Sequence, residues 1–141
     1  LNDKIKLFLY DGDTFPNFSE KFDKIIYQES MCHVVNKSKI IKQLIGILKT
    51  GGVIVGQDWY KTKDSENITN INKEWFTNLT SQQEDKQLFE KHGCKVVSLI
   101  DASELPNNTV FRRFIKNVKT SICKAFNNKE FTIGFIKCIK L

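Results

Sequence analysis

The residue types best suited to chemistry fall in two short clusters: Gln28-Glu29-Ser30 with His33, and Asp58-Trp59-Tyr60. A histidine titrates near neutral pH, so it can take or give a proton during a reaction. Carboxylates and amides hold polar ligand groups, and an aromatic pair can wall a pocket. Position makes these clusters notable. An apolar stretch from Phe22 to Tyr27 precedes the first, and Val53 to Gly56 precedes the second. Between them, Ile40, Ile41, Leu44, Ile45 and Leu48 recur at helical spacing and give one apolar face. The order strand, helix, strand is a β-α-β unit. Its strands run parallel, and the loops at their carboxyl ends form a ligand crevice. Both clusters belong to that crevice.

The remaining sequence must build the sheet that holds this unit. Ile5 to Tyr10 is a short apolar run, ended by Asp11-Gly12-Asp13 and Pro16, and is expected to be a strand. Phe22 to Tyr27 is expected to be buried on both faces. Asn36 is a good N-cap for the central helix, Lys49 suits its negative end, and Gly51 or Gly52 can stop it. Lys61 to Asn72 is polar and aperiodic, which predicts a mobile loop over the crevice mouth. Trp75, Phe76 and Leu79 suggest a short helix after it. Ser81-Gln82-Gln83-Glu84 matches a capping box and predicts a helix ending at Gly93, then a strand from Cys94 to Ile100. Phe111, Phe114, Ile115, Val118, Ile122 and Phe126 predict an amphipathic helix whose other faces are basic. Phe131 to Ile139 closes the chain as a strand. The sum is an α/β sandwich with a mostly parallel sheet.

At 141 residues the chain suits one domain, residues 1–141. Its net charge of +6 is moderate, and a solvated basic surface explains it better than a nucleic-acid site. The four cysteines form no C-x-x-C pair, and no histidine completes a zinc pattern, so no metal site is expected. They read as buried free thiols, with Cys32, in the crevice loop, the one candidate for reactivity. No apolar run spans a bilayer and no secretory signal opens the chain, so a soluble cytoplasmic protein is the default. Residue 1 is Leu and leads straight into strand-like sequence, so a natural N-terminal part is expected to precede it.

Three segments resemble class I S-adenosylmethionine-dependent methyltransferases of the small-molecule branch. Gly12-Asp13-Thr14, then Pro16, then Phe22-Asp23 is similar to the family's "GDA…P…FD" passage. Gln28-Glu29-Ser30 through His33-Val34 resembles the "QES…HV" turn. Leu48-Lys49-Thr50-Gly51-Gly52 resembles "LKPGG", with Thr50 in place of Pro. The Gly93-Cys94 strand start and the final FTIGFIKCIK strand match the family's closing pair. The resemblance covers the whole chain as the C-terminal portion of the domain. It implies a Rossmann-like methyltransferase sandwich, mostly parallel with an antiparallel last strand and lacking the first strands. By this analogy five of seven strands are present, ending near Tyr10, Tyr27, Gln57, Asp101 and Ile139. The glycine-rich cofactor loop has no match, for the seven glycines never form G-x-G.

The resemblance also implies roles. S-adenosyl-L-methionine would be the cofactor, with Asp13 on the adenine amino group, the Thr14 amide on a ring nitrogen and Gln28 on the methionine amino group. His33 and Asp58 would form a catalytic pair facing the acceptor, while Glu29, Trp59 and Tyr60 would line its pocket. Plainer readings stand beside each role: Asp13 as a turn residue, His33 as a helix cap, Trp59 and Tyr60 as core-edge aromatics. The function so implied is methyl transfer to an O, N or C atom of a small molecule. One alternative is a degenerate, non-catalytic methyltransferase-like binding module. A nucleic-acid methyltransferase ranks last, because no base-modifying motif is present.

Overall fold

The computed structural model describes residues 5–10, 12–104 and 121–141. The sheet has four strands in the order β1-β2-β4-β3: β1 (Phe22–Gln28), β2 (Leu48–Lys61), β3 (Cys94–Asp101) and β4 (Phe131–Lys140). β1 and β2 are parallel, with Lys24 opposite Val53 and Gln28 opposite Gln57. β4 runs antiparallel to both of its neighbours, β2 and β3. Three strands therefore point one way and the last runs back between two of them. The expected β-α-β unit is present, and so is the antiparallel final strand.

Helix α1 (Lys37–Gly46) joins β1 to β2. Its cap is the expected one, for the Asn36 side chain accepts from the Lys39 amide at 3.0 Å. Ile40, Ile41, Leu44 and Ile45 form its buried face. The helix stops earlier than the glycines suggested. The Lys140 ammonium, from the end of β4, donates to the Ile45 and Leu48 carbonyls at 2.8 Å each. A cation thus meets the negative end of the helix. Leu48 already belongs to β2. Gly51 serves within that strand instead, at φ 75°, where the pairing with β1 slips register.

Helix α3 (Gln82–Lys91) follows the expected capping box: the Ser81 amide donates to Glu84 at 2.7 Å, and the Glu84 amide to the Ser81 hydroxyl at 3.2 Å. With α1 it covers one face of the sheet, around Ile54, Phe89, Ile136 and Cys138. The other face carries Ile26, Val55, Phe135 and Ile100, which stay exposed. β1 is therefore buried on one side only, a correction to the expectation for a parallel strand.

Three further expectations change. Ile5 to Tyr10 forms no strand, and Leu7 and Leu9 are 92% and 97% exposed. A strand exists through its hydrogen-bonded neighbour, and among the described residues β1 pairs only with β2. The segment is instead held by ring contacts, Tyr10 stacked on Phe15 and Phe8 edge-on to Phe18. Four strands, not five, are seen among the described residues. Second, the polar stretch after Lys61 contains helix α2 (Glu66–Glu74), capped by the Ser65 hydroxyl on the Ile68 amide at 3.2 Å. It shows only Ile68 and Ile71 to the core, too few positions to register as a period. Third, residues 75–80 are not helical. The basic amphipathic helix lies largely outside the described residues. Its end, α4 (Ser121–Asn127), packs Ile122 and Ala125 in a second cluster with Trp59, Ile68 and Ile71.

All four cysteines are free, and Cys32, Cys94 and Cys138 are buried. Burial and then the Asp58 carboxylate push the Cys32 thiol well above its usual range. The residue in the crevice loop is a small core hydrophobe, not a nucleophile.

Candidate active site

The carboxyl ends of β1 and β2 form the candidate crevice. β1 ends at Gln28, and the chain then turns through Glu29, whose φ of 45° is unusual for a side chain with a Cβ. The Glu29 amide donates to the Gln57 carbonyl at 2.9 Å, so the turn is pinned to the neighbouring strand. The Gln57 side-chain amide reaches the Glu29 carboxylate at 3.4 Å. A single turn of 3-10 helix, Met31–His33, follows.

Asp58 lies beneath this turn and is 1% exposed. Its Oδ2 accepts the amides of Ser30, Met31 and Cys32 at 3.2, 2.7 and 3.3 Å. Its Oδ1 accepts the Trp59 amide at 2.8 Å. A buried carboxylate is tolerated when charge-assisted hydrogen bonds replace its water. Four backbone amides do that here, three of them from the turn that carries His33.

His33 is exposed on the outer side of the same turn. Its Nδ1 lies 3.1 Å from the Phe76 carbonyl. A carbonyl only accepts, so the ring proton sits on Nδ1. Nε2 has no hydrogen bond among the described residues. His33 and Asp58 share no hydrogen bond among the described residues: both Asp58 oxygens accept backbone amides, and Asp58 is buried while His33 is exposed. The partner that orients the imidazole is the Phe76 carbonyl. Phe76 itself takes φ 51°.

The aromatic wall is also corrected. Trp59 is 9% exposed and packs edge-on against Trp75 and Phe131, with centroids 5.7 and 5.6 Å away. Tyr60 is 1% exposed, and burial holds its hydroxyl protonated well above the ordinary phenol range. Alternation along β2 turns Tyr60 to the α1–α3 face and Trp59 to the other, so both enter core. Glu29 stays exposed at the rim.

On the cofactor side, Asp13 forms an ion pair with Lys39 of α1 while its carboxylate stays largely exposed. The Gln43 side chain donates to the Asp13 carbonyl at 3.0 Å and accepts from the Phe15 amide at 2.8 Å. One side-chain amide thus seats Asp13, Thr14 and Phe15 on α1. Gln28 is exposed at the strand end. An exposed carboxylate held on a fixed backbone, with an exposed amide at a neighbouring strand end, suits the adenine and amino ends of the implied cofactor. Nothing among the described residues supplies its glycine-rich cradle. No group of three or more His, Cys, Asp or Glu among the described residues could hold a metal ion.

Two groups escaped the sequence reading. Asn78 bonds the turn through its own amide, which donates to the Cys32 carbonyl at 2.6 Å. Its side chain donates to the Val34 and Val35 carbonyls at 3.2 Å each. Below the crevice, Lys37, 5% exposed, donates to the Thr80 hydroxyl at 2.8 Å, and Thr80 donates to the buried Asp85 at 2.7 Å. Burial raises the Asp85 pKa, against the pull of Lys37 and the Thr80 bond. A lysine in the first turn of α1, where the dipole disfavours it, was the available signal for this pair.

No protein-family model matches the sequence. Methyltransferase GfsG of Streptomyces halstedii is 24% identical over 110 residues, covering 74% of this chain and 40% of that protein. Geranyl diphosphate C-methyltransferase of Streptomyces coelicolor superposes with a TM-score of 0.73 at 14% identity, over 89% of this chain and 51% of that one. An O-methyltransferase from a trans-AT PKS multienzyme of Brevibacillus brevis gives 0.66 at 17%, over 99% and 50%. The fold is that of S-adenosylmethionine-dependent methyltransferases. The chain spans about half the length of the solved methyltransferases it matches. Those two structures hold S-adenosyl-L-homocysteine.

Proposed function

We propose that this chain is the acceptor-facing part of an S-adenosylmethionine-dependent methyltransferase acting on a small molecule. The observation that carries this reading is His33. Its Nδ1–H is tied to the Phe76 carbonyl, and its Nε2, just past the carboxyl end of β1, has no hydrogen bond among the described residues. That is the arrangement of a general base. Neighbours of the same fold are named for C-, O- and N-methyl transfer, which supports an acceptor with a carbon, oxygen or nitrogen nucleophile.

The cofactor, when bound, supplies an electrophilic methyl group. Asp13, the Thr14 amide and Gln28 would hold its adenine and amino ends. His33 Nε2 would take the proton that the acceptor atom gives up. Glu29, at the rim beside Gln57, positions polar parts of the acceptor. Asp58 supports the turn that carries His33, while Trp59 and Tyr60 support the pocket from within the core. A cytoplasmic location suits four unpaired cysteines, and no helix among the described residues is long and apolar enough to cross a membrane.

The test is methyl transfer by the intact protein to a panel of small O-, N- and C-acceptors. His33→Ala should lower turnover by about 10²- to 10⁴-fold, the usual contribution of a positioned base, with cofactor affinity unchanged. Unchanged turnover in that variant would sink the base assignment.

A further inference from the structure

We propose that Asn78 is the positioning residue that fixes the tautomer and aim of His33, by locking the segment after α2 onto the crevice turn. The importance of this lock for proton acceptance rests on the proposed function. The lock itself does not.

His33 sits on a turn governed from two sides. From below, Asp58 gathers the amides of Ser30, Met31 and Cys32. The Ser30 and Met31 carbonyls accept within the turn, from the His33 and Val34 amides at 3.2 and 3.1 Å. The carbonyls of Cys32, Val34 and Val35 are taken from above by one residue. The Asn78 amide donates to Cys32, and its side-chain nitrogen donates to Val34 and Val35. The three acceptors bracket His33 in sequence. Two carbonyl acceptors also fix which way the Asn78 amide faces, for only its NH2 group can satisfy both.

The bond that sets the imidazole comes from Phe76, two residues earlier. Phe76 has a left-handed backbone, and its ring is 86% exposed. Side-chain packing therefore does not hold its carbonyl in place, and strain of this kind persists only where surroundings over-determine it. On the α2 side, the Asn72 side chain accepts from the Thr77 hydroxyl and the Leu79 amide at 2.9 and 3.1 Å. The Thr77 amide, in the same peptide as the Phe76 carbonyl, also donates to the Asn72 carbonyl at 3.1 Å. These bonds fix the segment to α2, while Asn78 ties it to the turn that carries His33. Without the Asn78 bonds the turn can shift against the anchored Phe76 carbonyl, Nδ1 loses its acceptor, and the imidazole proton can move to Nε2. The base would then present a donor where it should present a lone pair.

The experiment is 15N NMR of the histidine side chains in the intact protein, recorded at a pH where the imidazoles are neutral, for wild type, Asn78→Ala and Asn78→Asp. Ser38→Ala, which removes the contact to His92, serves as a control for general loosening. Wild type should show His33 as the Nδ1–H tautomer. Asn78→Ala should reduce the ratio of Nδ1–H to Nε2–H by about fivefold, as expected for loss of one neutral hydrogen bond. Asn78→Asp, of the same size but without the NH2 group, should do at least as much while keeping the fold. Ser38→Ala should leave His33 unchanged. An Nε2–H tautomer in wild type, or an unshifted ratio in folded Asn78→Asp, overturns the proposal. None of these readings depends on methyl transfer, so failure here is distinct from failure of the methyltransferase reading.

Discussion

Replacing Asp58 tests how the crevice is built. The carboxylate is buried, and its hydrogen bonds are four backbone amides. Hydrogen bonds to a charged group contribute about 1.5–3 kcal/mol each, and a buried donor left unpaired costs about 1–3 kcal/mol. The Met31 and Cys32 amides belong to buried residues, and water cannot replace the carboxylate there without a rearranged turn. Two such losses make Asp58→Ala about 4 kcal/mol destabilising, a large share of the roughly 5–15 kcal/mol of a typical domain. Asp58→Asn keeps one acceptor oxygen but turns an NH2 group toward an amide donor. It should cost less, about 2–3 kcal/mol. Urea unfolding gives both values from the shift in midpoint at constant slope. Were Asp58 instead a catalytic partner of His33 with little structural weight, Asp58→Asn would unfold within about 0.5 kcal/mol of wild type, the range of a neutral surface change. That result would refute the account of the turn.

Other outcomes follow from the packing and the charges. A Cβ on Gly56 would stand 1.9 Å from Cζ of Tyr27. Gly56→Ala should therefore destabilise by about 1–3 kcal/mol or more, and Tyr27→Ala in the same chain should recover part of the loss, as a double-mutant cycle by urea unfolding would show. Lys140→Met removes the cation from the α1 C-terminus and should cost about 1–2 kcal/mol, with faster hydrogen exchange confined to the last turn of α1. Burial raises the Asp85 pKa above its unfolded value, so folding takes up a proton there. Its contribution to stability is greatest below the ordinary carboxylate pKa, about 3.9, and declines as pH rises through the raised value. The stability of wild type relative to Asp85→Asn should fall across that window, and a difference rising with pH would contradict the assigned direction.

The legible parts of this chain were those encoded over short range. The Asn36 cap, the capping box at Ser81 and Glu84 and the α1 stripe from Ile40 to Ile45 each need only neighbouring residues, and each is present. The β4 strand was legible for the same reason, whereas β2 runs from Leu48 to Lys61, well beyond the Val53 to Gly56 stretch that its apolar residues mark. Misreadings came where long-range partners decide. Ile5 to Tyr10 has the composition of a strand, yet no ladder forms for it among the described residues. α2 buries just Ile68 and Ile71, and its helix rests on the Ser65 cap and on α4. In the site, His33 lies on the turn after β1, but the second strand runs on to Lys61, so Asp58 lies within β2 and not on the loop after it; sequence spacing says nothing about which side of a turn a carboxylate approaches. Asn78 and Phe76 act across more than forty residues, through backbone carbonyls that no residue type reveals.

The most direct measurement is titration of S-adenosyl-L-homocysteine into the intact protein and into Asp13→Ala and His33→Ala. Asp13 lies on the cofactor side and His33 on the acceptor side. Wild type should bind, and Asp13→Ala should bind about 10- to 100-fold more weakly, the equivalent of one lost hydrogen bond to a charged group. His33→Ala should bind as wild type does. No binding by the intact protein, or equal loss in both variants, would contradict the account.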